Sequence, residues 1–429
     1  MHEFNLKNNM LLGVASSATQ TEGGKLDHSW NDWYRSGHIK DGTDPSTPWG
    51  SWENWREEIL LMHRMGIKTY RFSIEWARVE PHEGEFDEAA IAHIKEKIML
   101  LLALKIKPLV TLHHFTNPMW FEEKGGFELY ENIMCYLLYV EKIVKSIGHL
   151  VNEYISFNEP NVYAVYGYFY GKWPPGQKSP SATLDVMSNL ASAHIKAYRL
   201  IHDMRRSMGF KDSKVGFANQ YRVFVPRDPR NPIHRSETKL MEDLFQNHLT
   251  LAMLTGEFRK PLKNHGRDRR GAYADFHAVN YFSRSVVYGA FSEGSLKGAF
   301  KSDLGWEIYP KGIVECCEKL QKIVRLPIYI TGNGVCDLDD RFRSRFIYEH
   351  LKALSRSALP IKRYYYWSFA DSFHWQEGIF PRFGLVHTDY ETLMRSIKPS
   401  GSFYSEIIKN HGVTDEMYSE YVAGEEYHI

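Results

Sequence analysis

Residues 154–160 read Tyr-Ile-Ser-Phe-Asn-Glu-Pro, a short apolar run that ends in an amide, a carboxylate and a proline. Runs that are almost continuously apolar are typical of parallel strands covered on both faces. Comparable runs recur along the whole chain. The predicted strands are Leu11–Thr19, Thr69–Trp76, Pro108–Phe115, Tyr154–Asn158, Val215–Asn219, Phe276–Phe282, Ile328–Thr331 and Tyr364–Phe369.

Amphipathic stretches separate these runs. The predicted helices include Trp52–Met65, Ala89–Leu104, Ile133–Ile147, Val186–Met208, Met241–Leu254, Lys311–Val324 and Arg341–Leu354. Eight strands that alternate with helices predict an α/β protein with a single (β/α)8 TIM barrel, and a doubly wound open sheet is the alternative. No low-complexity segment or linker divides the 429 residues. We therefore expect residues 1–429 to form one domain.

Composition and charge argue against several classes of function. The formal net charge is +1, from 53 basic and 52 acidic residues, whereas proteins that bind nucleic acid usually carry a basic excess. The longest purely apolar run, Ile98–Leu104, is too short to cross a bilayer. Four cysteines without C-x-x-C spacing, and no apolar leader at the start, predict a reduced, cytoplasmic protein. We expect no nucleic-acid partner, no membrane partner and no cofactor, and the sequence indicates no particular oligomeric state.

Polar side chains follow nearly every predicted strand. The strand ends read Gln20-Thr-Glu-Gly, Glu75-Trp, His113-His-Phe, Asn158-Glu-Pro, Asn219-Gln, Asn280-Tyr-Phe, Gly332-Asn-Gly and Ala370-Asp. A single polar residue at a strand end is common in loops and indicates no function. In a barrel of this kind the catalytic and binding residues lie at the carboxyl ends of the strands, so the whole set predicts a binding site there.

These motifs resemble those of the family-1 glycoside hydrolases, in order and over almost the whole chain. The matching segments are Gln20–Gly23, Tyr70–Ser73 with Trp76 and Arg78, Thr111–His114, Phe157–Pro160, Tyr366–Ser368 and the segment from Asp371 to Val386. The resemblance implies retaining hydrolysis of a β-linked glycoside or oligosaccharide. In that reaction two carboxyl groups about 5–5.5 Å apart flank the anomeric carbon.

The resemblance also implies a role for each matching position. Glu159 corresponds to the acid/base, and Asn158 to the residue that binds the sugar 2-hydroxyl. Arg71 corresponds to the arginine that supports the nucleophile. The other positions expected to bind substrate are Gln20, His114, Asn280, Trp367, His374 and Trp375.

The position of the nucleophile carries no carboxylate. Where the family has Thr-Glu-Asn-Gly, this chain has Thr331-Gly-Asn-Gly334, so that Gly332 occupies the nucleophile position. Covalent retaining catalysis is then unavailable. One explanation is a substitution made to trap a substrate or to create a glycosynthase, and the other is a natural pseudoenzyme that binds sugar without cleaving it. The retention of Arg71 and Glu159 favours the first explanation.

Other departures from the family pattern concern the substrate. Phe115 replaces a tryptophan, and Phe282 replaces a tyrosine that hydrogen-bonds the nucleophile. His374 replaces a glutamate that accepts hydrogen bonds from the sugar 4- and 6-hydroxyls. Galactose, fucose or a uronic acid are candidates for the sugar, and glucose remains equally compatible. A metal-dependent hydrolase is the weaker alternative, since the adjacent His113 and His114 face opposite ways on a strand.

Overall fold

The computed structural model describes residues 2–47, 49–289 and 292–429. Its centre is a barrel of parallel strands: β1 (Leu11–Ala15), β2 (Thr69–Ser73), β3 (Lys107–His113), β4 (Glu153–Asn158), β5 (Lys214–Pro226), β6 (His277–Gly289), β7 (Ile328–Asn333) and β8 (Ile361–Trp367). Hydrogen-bonded neighbours follow the order β5-β4-β3-β2-β1-β8-β7-β6, and β5 also pairs with β6. That last pairing closes the barrel. The predicted (β/α)8 fold is therefore confirmed, and the open-sheet alternative is wrong.

Helices surround the barrel. They are Ala18–Thr21, Ser29–Arg35, Trp55–Arg64, Trp76–Val79, Glu88–Ala103, Met119–Glu123, Ile133–Ile147, Pro160–Ala164, Pro180–Ser207, Pro232–Glu242, His248–Thr255, Lys311–Ile323, Arg343–Arg356, Pro399–Asn410 and Asp415–Tyr421. Shorter helical turns are Gly126–Glu128, Tyr130–Asn132, Val165–Phe169, Asp243–Asn247 and Trp375–Glu377. Among the described residues, no helix is both long enough and apolar enough for a bilayer crossing.

Two predicted strands end earlier than the apolar runs suggest. The first run continues to Thr19 and the second to Trp76, but β1 stops at Ala15 and β2 at Ser73. The Ala18 N–H donates a 2.8 Å hydrogen bond to Ser73 Oγ. The chain leaves the sheet there and begins a short helix, because the N–H of Ala18 is bonded to a side chain instead of a neighbouring strand.

Two other strands continue past the rim of the barrel. β5 and β6 run beyond the predicted ends at Asn219 and Phe282, and the pairing continues as far as Pro226 opposite Val287. A short strand, Ser292–Gly294, adds to β6 on its other side. We call residues 221–226, 283–289 and 292–294 the rim extension. Because these strands continue in the carboxyl-terminal direction, the rim extension forms a wall beside the strand ends.

The barrel interior is filled with side chains. One cluster joins Ala15, Leu109, Ile155, Ala218, Phe276, Ala278, Tyr329 and Tyr365. The larger cluster joins strand residues such as Leu112 to helix residues such as Ile143 and Leu190. Two short antiparallel strand pairs lie outside the barrel. Phe4–Asn5 pairs with Gly412–Val413, and Val386–Thr388 pairs with Arg395–Ile397. A ligand must therefore bind above the packed interior, at the rim.

Candidate active site

Glu159 lies at the junction between β4 and the helix that starts at Pro160. Its backbone has φ 44° and ψ 55°, in the left-handed region. A residue other than glycine costs on the order of 1–3 kcal/mol in a sparsely populated region of this kind, and such residues cluster at functional sites. The Glu159 N–H donates to the Ala218 carbonyl at 2.5 Å, which ties the junction to β5. The backbone thus holds this carboxyl group at the rim.

Burial makes Glu159 a carboxylic acid suited to proton transfer near neutral pH. The residue is 7% exposed, and burial raises its pKa to about 7. The hydrogen bond from Asn280 and the charges of Arg71 and Arg222 oppose this shift. A carboxyl group whose pKa lies near the working pH can both give and take a proton efficiently.

Asn158 links Glu159 to the neighbouring strands. Its Oδ1 accepts hydrogen bonds from Arg71 Nη2 at 2.5 Å and from Asn280 Nδ2 at 3.0 Å, while its own Nδ2 lies 3.1 Å from His114 Nε2. Burial, helped by Arg71, keeps the pKa of His114 well below its usual value. The ring is neutral, so Nε2 accepts from Asn158 and the proton resides on Nδ1. That Nδ1 is buried without a partner among the described residues and can donate to a ligand.

Gly332, on β7, faces the side-chain amide of Asn280. A β-carbon added there would lie 3.0 Å from Asn280 Oδ1, and φ lies outside the left-handed region. The backbone therefore does not require glycine, and a side chain at 332 would need Asn280 to move by a few tenths of an ångström. Gly334 differs, because a β-carbon there would overlap the Trp367 carbonyl oxygen. Glycine is required by packing at position 334 but not at position 332.

Arg71 lies behind these residues and is 1% exposed. Its guanidinium donates to Thr111 Oγ1 at 3.1 Å and to the Thr331 carbonyl at 2.8 Å, besides its bonds to Asn158 and Asn280. Burial lowers its pKa to about 10. Arg71 therefore remains a cation at neutral pH and connects β2 with β3, β4, β6 and β7.

Aromatic rings form one side of the site. The His114 ring lies nearly parallel to Trp367, at 5.8 Å and 21°, and to Trp375, at 6.0 Å and 22°. Phe115 meets Trp375 edge-on at 5.3 Å and Trp173 at 5.0 Å. Ring faces of this kind can stack against the C–H faces of a sugar. Trp173 thus packs within the cluster and also lines the cleft.

Gln20 and His374 supply further polar groups. The Gln20 amide accepts from Ser17 Oγ at 2.7 Å and donates to the Phe373 carbonyl at 2.7 Å, which leaves one N–H and one lone pair free for a ligand. Burial lowers the pKa of His374 to about 3. Its Nε2 is buried without a partner among the described residues, and the ring packs at 4.6 Å on Phe383.

These side chains line one cleft with a volume of about 420 Å³. The sequence-predicted residues on its wall are Gln20, His114, Asn158, Glu159, Asn280, Trp367, His374 and Trp375. Arg71 and Gly332 lie directly behind them, in contact through Asn280. His113 points away from the cleft and bonds to Asn117 at 2.8 Å. All the predicted positions are therefore brought together at the rim.

The rim extension adds residues that the sequence motifs did not reveal. Arg222 pairs with Glu293 at 2.7 Å, and Arg284 pairs with Glu307. Both pairs and Trp306 line the outer part of the cleft. The aromatic and β-branched residues of Tyr-Arg-Val-Phe-Val, 221–225, favour a strand and could have shown that β5 continues beyond Asn219.

Among the described residues, no three side chains of the types that bind metals come together. A buried carboxylic acid at the carboxyl-terminal rim of a (β/α)8 barrel, beside amides and stacked rings in one cleft, fits the class of the glycoside hydrolases. The chain belongs to glycosyl hydrolase family 1, whose family model matches residues 2–281 and 289–413.

Similar proteins come from archaea and bacteria. The solved structure of a β-glycosidase from Pyrococcus horikoshii has a TM-score of 0.89 and 35% identity, and covers 98% of both chains. Beta-glucosidase A from Thermotoga maritima is 30% identical over 94% of this chain and 98% of its own length. A structure of a Thermotoga maritima β-glucosidase with glucoimidazole has a TM-score of 0.85 and 27% identity, covering 95% and 100%.

Proposed function

We propose that the chain acts on β-glycosides, with Glu159 as acid/base and with a glycine where the nucleophile belongs. One observation carries the proposal: Asn280 bonds to Glu159 and also faces the β-carbon direction of residue 332. A sugar held between those two positions would have an acid at one edge and no carboxylate at the other. The names of the relatives, β-glycosidase and β-glucosidase, support this class of substrate.

The contacts of each side chain support the role that we propose for it. Glu159 protonates the oxygen of the leaving group, and Asn158 binds the 2-hydroxyl, a contact that strengthens as positive charge develops on the sugar. His114 donates from Nδ1 to a hydroxyl, while Gln20 and Asn280 supply amide groups. Trp367 and Trp375 hold the sugar face.

Without a carboxylate at 332 the covalent glycosyl-enzyme cannot form, so hydrolysis is impaired by several orders of magnitude. The remaining machinery suits a glycosynthase. A glycosyl fluoride of inverted configuration would place its fluoride beside Gly332, and Glu159 as the carboxylate would take the proton of an acceptor alcohol. We favour a glutamate-to-glycine substitution as the origin of Gly332, because the backbone there does not require glycine.

The properties of His374 favour a neutral sugar. A histidine with a pKa of about 3 carries no charge at physiological pH and offers one donor and one acceptor to hydroxyl groups. It therefore gives no ionic attraction to a uronic acid. Glucose, galactose and fucose remain the candidates at this position.

The second candidate function is a carbohydrate-binding pseudoenzyme. The observation that favours it is a hydrogen-bonding set that remains complete although the nucleophile is absent. Such a protein would bind a small β-glycoside or oligosaccharide without cleaving it.

One substitution separates the two functions. Gly332→Glu should raise hydrolysis of aryl β-glycosides by about a thousandfold or more, because it restores the second carboxyl group. Gly332→Gln is the matched control, with the same shape and no charge, and should stay inactive. If the Gly332→Glu protein folds and binds sugar but gains no activity, the binding protein is the correct description.

A further inference from the structure

Residues 300–308 form a small antiparallel hairpin at the outer part of the cleft, which we call the cleft hairpin. The N–H of Ile308 donates a hydrogen bond to the Phe300 carbonyl at 2.8 Å, and Lys301 is the bridge partner of Glu307. The residues at the tip and on the returning side line the cleft, namely Leu304, Gly305, Trp306 and Glu307. The position of this hairpin therefore determines the shape of the outer wall of the cleft.

Trp306 is the aromatic residue that the cleft hairpin brings to the cleft. The residue is 41% exposed, and its ring lies 5.9 Å from the ring of Phe282 and 6.0 Å from that of Phe383. A partly exposed aromatic ring beside a binding site can pack against an apolar or aromatic group of a ligand. Trp306 lies outside the group of residues that surrounds Glu159, so the part of a glycoside that it can contact is the aglycone.

Two contacts hold the cleft hairpin on its inner side. Glu307 pairs with Arg284 of the rim extension. The N–H of Leu338 donates to Asp303 Oδ2 at 2.7 Å, which joins the tip to the segment that follows β7. These contacts leave the outer edge of the hairpin, at Phe300 and Lys301, to be held by another part of the chain.

Residues 425–429 pack against this outer edge. The N–H of Lys301 donates to the His428 carbonyl at 2.9 Å, and the two residues form a β-bridge. The ring of Tyr427 lies 5.4 Å from the ring of Phe300. The segment thus extends the hairpin by one more antiparallel chain and covers Phe300 with an aromatic side chain.

Tyr427 joins the hairpin to the body of the protein. Its OH donates to Glu349 Oε2 at 2.9 Å, on the helix Arg343–Arg356, and the N–H of Arg345 on that helix donates to Glu425 Oε2 at 2.6 Å. The Tyr427 ring belongs to a small hydrophobic cluster that is separate from the main core and consists of Ile308, Val335, Phe342, Phe346 and Tyr427. Because this cluster is small, the loss of one large ring removes much of its packing.

We propose that Tyr427 is a positioning residue for the outer cleft, which holds the cleft hairpin so that Trp306 can pack against the aglycone. This inference rests on the proposed function of the same site. Without the Tyr427 ring the hairpin loses its contact at Phe300, and a ligand that uses Trp306 must then order the hairpin when it binds. That ordering weakens the affinity for the aglycone. The affinity for the sugar itself is unchanged, because the hydrogen bonds of Gln20, His114 and Asn158 do not involve the hairpin.

The test compares two glycosides of the same sugar, the methyl β-glycoside and the 4-nitrophenyl β-glycoside, by calorimetric titration of the unaltered chain. Glucosides, galactosides and fucosides are each titrated. For a given sugar, the ratio of the two dissociation constants measures what the aglycone adds to binding. We expect the aryl glycoside to bind more tightly to the unaltered chain. Tyr427→Ala should reduce this preference about fivefold and leave the methyl glycoside unaffected.

Four further variants separate positioning from a general loss of structure. Phe300→Ala removes the same contact from a residue that is 45% exposed, so it should fold and should reduce the aryl preference as Tyr427→Ala does. Tyr427→Phe keeps the ring and should retain the preference. Tyr418→Ala is the matched control, because Tyr418 stacks on His2 at 3.7 Å and not on the hairpin. Trp306→Ala should itself reduce the preference, and Tyr427→Ala should then add nothing, since the two residues act through one contact.

Three results would overturn the inference. They are an aryl preference that Phe300→Ala and a folded Tyr427→Ala leave unchanged, an equal loss of both glycosides, and an effect of Tyr427→Ala that persists in full after Trp306→Ala. If the unaltered chain binds these glycosides but gives any of these results, only the role of Tyr427 is wrong and the proposed function stands. If the unaltered chain binds none of the glycosides, the proposed function fails as well.

Discussion

Asn280 Nδ2 lies 2.8 Å from Glu159 Oε1 and donates a hydrogen bond to it. The same side chain accepts from Thr331 Oγ1 at 2.7 Å, on the residue before Gly332. One amide therefore connects the carboxyl group of Glu159 on β4 with β7, the strand that carries Gly332. A substitution at either of these two positions should therefore change the hydrogen bonds of Asn280 and, through them, the other position.

The first prediction concerns the pKa of Glu159. The hydrogen bond from Asn280 lowers that pKa, because it stabilises the charged form. Asn280→Ala in a protein that also carries Gly332→Glu should raise it by about one pH unit, the equivalent of one hydrogen bond. The alkaline limb of kcat/KM against pH should move up accordingly. Asn247→Ala, whose amide bonds to Asp243 on an outer helix, should leave the limb in place, and an unmoved limb in Asn280→Ala would contradict the assignment.

The second prediction concerns stability. Burial raises the pKa of Glu159 from its ordinary 4.5 to about 7, so between those pH values the folded chain binds more protons than the unfolded chain. Stability must then fall as pH rises through this window. Relative to the unaltered chain, Glu159→Gln should gain up to about 3 kcal/mol in free energy of unfolding between pH 4.5 and 8.

Urea unfolding at several pH values checks this difference. The exposed Glu141→Gln serves as the control for the loss of one surface carboxylate. A difference for Glu159→Gln that does not change with pH would mean that Glu159 ionises normally in the folded chain.

The third prediction concerns Phe282. It lines the cleft at the position where the family has a tyrosine that hydrogen-bonds the nucleophile. Phe282→Tyr should raise kcat/KM about tenfold in the Gly332→Glu protein, as one hydrogen bond to a charged group allows. In the unaltered chain the same change should have no effect on hydrolysis. An equal gain in both proteins would show that the tyrosine acts elsewhere.

The fourth prediction concerns His374. Its pKa of about 3 leaves the ring neutral above about pH 4. In a Glu159→Gln protein, which removes the titration of Glu159 from this range, the affinity for a neutral β-glycoside should therefore not change between pH 5 and 8. Calorimetric titration can measure this directly, because we expect this protein not to consume the ligand. A β-glucuronide should bind no better than the β-glucoside. Tighter glucuronide binding at low pH would mean that the ring becomes protonated.

The order of elements was predictable from the sequence because buried parallel strands leave apolar runs that can be counted. Ile133–Ile147 was predicted with its observed bounds. The strand ends were harder, since Ala18 and Trp76 are as apolar as strand residues but begin helices. The continuation of β5 beyond Asn219 was missed because Gln220 and Arg222 interrupt the apolar run.

The residues that line the cleft were predictable where a motif marks them, as for Asn158 and Glu159. The pKa values of these residues were not predictable, because they depend on how deeply each side chain is buried and on its neighbours in the fold. No sequence pattern states that His374 is buried deeply enough to stay neutral. The contacts of Arg71 with residues of four other strands likewise follow from which strands are neighbours in the closed barrel.

The central claim is that residue 332 occupies the place of the nucleophile across the sugar from Glu159. The most direct test treats the Gly332→Glu protein with a 2-deoxy-2-fluoro-β-glycosyl fluoride, which forms a slowly hydrolysed covalent glycosyl-enzyme, and locates the label by peptide mass spectrometry. We predict one sugar attached to the peptide that contains position 332, and no label on the unaltered chain. A label on another carboxylate, such as Glu307 or Glu159 itself, would contradict the claim.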